Sequence, residues 1–151
     1  MINYYDAIDS ILSKFYESFK IYSPDIVGYL PEIQWPNVEK QNNVDGSKVW
    51  VRVSYQTISS PQTSLSVCVG AIGKKSYTNT GFLTIQVFTP KSLAESDDIL
   101  KRLSMAIRDS FKSSGANGGI WFRNPRINEL PQEDLFYRNN VIIEYRFDEL
   151  G

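Results

Sequence analysis

The chain contains no histidine, and that absence removes more chemistry than any residue present supplies. Imidazole is the usual general base near neutral pH, the partner of serine and cysteine nucleophiles, and the commonest transition-metal ligand. Hydrolase and zinc-site readings therefore lose their ordinary residues, and no cofactor or metal is expected. Cysteine is nearly absent too. The single one, Cys68, cannot close an internal disulfide, and between Val67 and Val69 it reads as a small apolar strand residue. An inert thiol fits a reducing compartment. No apolar run approaches membrane-spanning length, and the first residues, Ile2-Asn3-Tyr4-Tyr5-Asp6, lack the basic and apolar regions of a secretion signal. The expectation is a chain that folds in the cytoplasm of the cell that makes it, with no membrane partner. An excess of either charge is also missing: 16 Lys and Arg against 17 Asp and Glu leave a net charge of −1. No bulk field draws such a chain to nucleic acid or to an anionic membrane, although local patches remain open.

What is present suits one globular domain over residues 1–151, with 42% hydrophobic and 22% charged residues and length enough to bury a core without metals or disulfides. Nine Tyr, eight Phe and three Trp are many; they read as core and strand residues or as part of a protein–protein surface. The stretch from Gly81 to Phe111 organises the rest. Leu83, Ile85 and Val87 alternate with Thr84 and Gln86, the period of a strand with one drier face. Pro90 ends it. Ser92-Leu-Ala-Glu95 fits a capping box and predicts a helix start there, and Leu93, Leu100, Leu103, Ile107 and Phe111 then recur at helical spacing. Asp97 and Asp98 lie where the helix dipole favours anions, each with a cation four residues on.

Upstream, Ile8, Ile11, Leu12, Phe15 and Phe19 predict a first helix that must stop before Pro24. Residues 24–46 hold three prolines and two glycines and read as a long connection, with Ile33 and Trp35 in a short extended piece. Lys48 to Thr57 is a strand with Val49, Val51, Val53 and Tyr55 on one face and Trp50, Arg52, Ser54 and Gln56 on the other. Leu65 to Val69 is a second strand that can return antiparallel, and Gly70 to Gly81 is the long tip of a hairpin. After the second helix come a glycine-rich stop, an extended Ile120–Ile127 interrupted by Pro125, and a last strand over Asn140–Phe147. The predicted class is α+β: an antiparallel or mixed sheet of about five strands with two main helices packed on one face. The predicted core is Ile8, Leu12, Phe15, Val51, Val53, Leu83, Ile85, Leu103, Ile107, Ile143 and Tyr145.

Candidate chemistry is sparse. Of the carboxylate pairs, Asp97-Asp98 diverge on a helix and read as dipole-matching charge, while Glu133-Asp134 and Asp148-Glu149 read as solvated. Gly70-Ala-Ile-Gly-Lys-Lys75 lacks the spacing of a phosphate loop and leads into a strand. Gly73-Lys-Lys-Ser-Tyr77 is the one local cluster of basic and aromatic residues of the kind that binds nucleic acid, and reads more simply as a solvated hairpin tip.

The wording Gly81-Phe-Leu-Thr-Ile-Gln-Val-Phe-Thr-Pro90 leading into a Leu/Ala/Ile-rich helix, with this order of elements around it and a strand ending Arg146-Phe-Asp-Glu149, resembles the phage tail-terminator family of the lambda type. The resemblance implies a structural protein and not an enzyme. It implies a homo-oligomeric ring, expected to be a hexamer, at the end of the tail tube. Its partners would be the tail tube protein and the head–tail connector protein, with genomic DNA passing through without sequence-specific binding. It places the protein in the virion tail or neck after assembly in the host cytoplasm. Gly73, Lys74, Lys75, Tyr77 and Asn79 become the expected subunit-interface or channel-facing loop, mobile until assembly. Another neck, connector or tail-tube-like component is the alternative, and an enzyme of unknown type a further one.

Overall fold

A computed structural model describes residues 2–36, 46–58, 62–65, 75–112, 118–132 and 135–150. Two helices, α1 (Tyr4–Val27) and α2 (Ser96–Lys112), pack on one face of a mixed sheet. The strands are β1 (Glu32–Gln34), β2 (Trp50–Ile58), β3 (Gln62–Leu65), β4 (Lys75–Pro90), β5 (Ile120–Glu129) and β6 (Phe136–Leu150). Their order is β1-β2-β4-β6-β5, and β3 pairs with β4 beside this path. β1 runs parallel to β2; the other pairs are antiparallel. The expected class, a mixed sheet with both helices on one face, is what the chain forms.

The centre is the β4–β6 ribbon, paired from Pro90–Phe136 to Ser76–Leu150. At about 3.3 Å per residue its sixteen-residue strand β4 is roughly 50 Å long. That length lets one edge of β4 serve two partners in turn: β2 against Thr80–Phe88 and β3 against Lys75–Tyr77. β3 therefore does not return antiparallel to β2, as its position suggested; both run the same way along β4. The predicted Val67 and Val69, with Cys68, lie outside the described residues.

Alternation sorts the sheet. Val51 and Val53, Leu83, Ile85 and Val87, and Val141, Ile143, Tyr145 and Phe147 point to the helices and are buried, joined by Ile11, Phe15 and Phe19 of α1 and Leu103, Ile107 and Phe111 of α2. Every residue of the predicted core is in this cluster or, for Leu12, packed against it. Buried side chains at this density, not local propensity, hold the two layers together.

Three element ends differ from expectation. α1 does not stop before Pro24 but runs to Val27, where Gly28 takes a left-handed φ of 96° and its N–H bonds the Pro24 carbonyl at 2.8 Å. Only one helical hydrogen bond is lost to the proline, and the extra turn packs Ile26 and Val27 against the core. α2 begins at Ser96, not at Ser92. Residues 91–95 instead make two tight turns, Leu93 N–H to Pro90 O (3.1 Å) and Ser96 N–H to Leu93 O (3.3 Å), and Glu95 sits at φ 60° ahead of the first helical bond. The turns place Leu93 on the core, which a capping box at Ser92 would not require. Finally, Pro125 does not interrupt β5: it falls in a bulge between Arg123 and Arg126, on an edge strand, where a missing N–H breaks no ladder.

Candidate functional site

Lys75 to Gly81, expected as a loop, is strand β4. Gly73 and Lys74 lie outside the described residues. Tyr77 is half-buried and stands opposite Glu149, and Asn79 is buried, its amide donating to Glu149 Oε1 at 3.3 Å. The other oxygen of Glu149 accepts the Tyr4 N–H at 2.8 Å, where the first turn of α1 leaves amides without helical partners. Asn3 caps the same turn, taking the Asp6 N–H at 2.8 Å. Beside it, Thr78 donates to Asp148 Oδ1 at 2.7 Å. Asp148 and Glu149, expected as solvated charge, thus fasten the end of β6 to β4 and α1. The physical reason for the correction is pairing: β4 gains both partners' hydrogen bonds, so a segment with no apolar pattern is still ordered as strand.

One row of side chains further in, Gly81 of β4 lies between Thr57 of β2 and Tyr145 of β6. The Tyr145 ring crosses over the glycine and its hydroxyl shares a hydrogen bond with the Thr57 hydroxyl. Burial pushes the Tyr145 phenol up to about 12.

The opposite, helix-free face of the sheet forms the second candidate surface. Partner residues of adjacent strands share a face, so the registers read directly as rows. Gln34, Arg52, Gln86, Asn140 and Asn128 make one row across five strands. Ser54, Thr84, Ile142 and Arg126 make the next, and Gln56, Phe82, Glu144 and Arg123 the one after. An open trough of about 580 Å³ lies over Ser54, Gln56, Phe82, Thr84, Arg126 and Ile142. At one end Trp50 stacks on Phe88 with ring centres 4.0 Å apart, and Phe136 stands edge-on to both at 6.1 Å. The Arg52 guanidinium sits 5.3 Å and 5.6 Å from the Trp50 and Phe88 ring centres. Arg126 lies 6.0 Å over Phe82 and Arg146 5.8 Å over Trp121. Glu144 pairs with Arg126 at 3.0 Å and Arg123 at 3.5 Å and accepts from Asn124 at 2.7 Å; the Asn124 amide first, then the arginines, hold its carboxyl below the usual range. Strand alternation already set Arg52 and Arg146 away from the core; what joins them with Arg123, Arg126 and Arg138 is register between distant strands, which no local pattern carries.

Asp97 and Asp98 pair with Lys101 (2.8 Å) and Arg102 (3.7 Å) on the exposed side of α2, and Glu133 and Asp134 lie outside the described residues. Among the described residues no cluster of three or more His, Cys, Asp or Glu is gathered to hold a metal, and no helix is long and apolar enough to cross a membrane.

Neither a protein-family profile nor a curated protein matches this chain. Among solved structures 11 chains match. One of them, whose name gives no function, aligns over 92% of this chain and 94% of its own at 13% identity, with a TM-score of 0.48. At that level the likeness carries no argument about function.

Proposed function

We propose that the chain is a structural subunit of a phage tail. In this reading it closes as a homo-oligomeric ring, a hexamer, on the end of the tail tube, halts tube growth and offers a surface to the head–tail connector protein, while genomic DNA passes through. The observation that carries the proposal is the β3–β4–β6 ribbon, which continues past Asn79, the level at which the first turn of α1 is tied down. Such an arm can reach a neighbouring copy, and Lys75 and Tyr77 lie along it, with Gly73 and Lys74 in the segment that joins β3 to β4. The Gly81–Pro90 wording and the order of elements support the same reading, as does a sequence without histidine, the most frequent general base.

The arm can be shortened cleanly. Leu65 and Lys75 face each other across β3 and β4, so replacing residues 66–74 by Asn-Gly closes the hairpin with a two-residue turn. The expected result is a folded monomer that forms no rings by electron microscopy and caps no tubes. A shortened variant that assembles normally overturns the role of the arm, and a full-length chain that builds open-ended tubes replaces the terminator reading with a tube subunit.

A further inference from the structure

Five of the seven arginines, Arg52, Arg123, Arg126, Arg138 and Arg146, lie on the helix-free face of the sheet; the other two, Arg102 and Arg108, are on α2. Among the described residues, three strand carboxylates share that face, Glu32, Glu144 and Asp148. A chain of net charge −1 therefore carries, in its described strands, a face with more arginines than carboxylates. We infer that this face is a binding surface for the phosphate backbone of double-stranded nucleic acid.

Three features choose this occupant. Guanidinium groups are planar forks that match phosphate oxygens, and Arg52, Arg126 and Arg146 are laid over aromatic rings that hold them in place before any ligand arrives. Between them the row Gln34, Gln86, Asn140 and Asn128 adds amide donors of the kind that contact phosphate and sugar. Trp50 and Phe88 are buried beneath Arg52 and offer no platform for unpaired bases, and Trp121, the exposed ring of this face, is covered in part by the Arg146 guanidinium. Contact is thus to the backbone and independent of sequence. Glu144 opposes it by occupying Arg123 and Arg126. The inference concerns the single subunit and does not depend on ring closure.

The test is fluorescence anisotropy of a short labelled DNA duplex, first at low salt and then with added NaCl, with circular dichroism to confirm folding of each variant. Wild type is expected to bind, with affinity falling as salt rises by a log–log slope of about −0.9 for each phosphate neutralised. R52Q/R123Q should weaken binding about tenfold or more and shallow the slope by about 2. E144Q should tighten binding, an effect that structural damage cannot mimic. K101Q/R102Q on α2 should change nothing. No binding at low salt, or E144Q binding no tighter than wild type, overturns the inference. So does an R52Q/R123Q variant that keeps full affinity; if it falls apart as an oligomer in sedimentation, the face belongs to a second copy instead. Ring formation, read separately by microscopy, can fail without touching any of these outcomes.

Discussion

Gly81 shows how a single position can depend on neighbours two strands away. A Cβ built there would lie 2.5 Å from the Tyr145 hydroxyl oxygen and 2.6 Å from Cζ, and would also strike the Gln56 carbonyl oxygen. Gly81→Ala is therefore expected to cost on the order of 3 kcal/mol, as overpacking does, measured by urea unfolding. Tyr145→Phe in the same chain should not rescue it, because the carbonyl is backbone. Tyr145 also predicts an alkaline limit. Its phenol is held above the ordinary value of 10.0, up to about 12, so the folded state keeps the proton more firmly than the unfolded chain. The stability this gives is complete below pH 10 and is lost as pH rises from 10 towards 12. Unfolding midpoints should be flat up to that window and then fall, with a shallower fall in Tyr145→Phe. None of this was legible in the sequence: Gly81 reads there as the boundary between a loop and a strand, because its ring partner is 64 residues away on β6.

Elements were read well along their length and poorly at their ends. The stripe Leu100, Leu103, Ile107 and Phe111 is buried as its spacing requires, and Leu103→Ala or Ile107→Ala should each cost about 2–5 kcal/mol in equilibrium unfolding. The start of α2 was misplaced because Ser92 and Glu95 have the letters of a capping box while Leu93 is drawn to the core, and packing decided. A capping serine would cost about 0.5–2 kcal/mol on truncation, and the observed turns predict otherwise. Ser92→Ala should be nearly neutral, whereas Glu95→Gly should raise stability by several tenths to about 1 kcal/mol in thermal melts, since Glu95 holds φ 60° without the freedom of glycine. Pro24 misled in the same way: local rules stop α1, and burial of the turn beyond it carries the helix on.

At the scale of the whole molecule, the class and the face of each strand followed from periodicity, whereas strand order and register did not. Pairing of β4 with β6 joins segments on either side of α2, and together with the β2–β4 and β5–β6 pairings it collects the arginines into one face. The two end strands of the β1-β2-β4-β6-β5 path complete the description. β1 is three residues long, and β5 carries Asn124 at φ 52° and Pro125 in its bulge. Both edges are thus poor templates for another strand. Restoring a flat edge with Asn124→Thr and Pro125→Val should increase light scattering and thioflavin T signal on incubation at moderate temperature. At these two strands copies of this chain are accordingly discouraged from extending one another's sheets, which is the route to filaments without a defined end. Association through side-chain surfaces would leave those edges unextended.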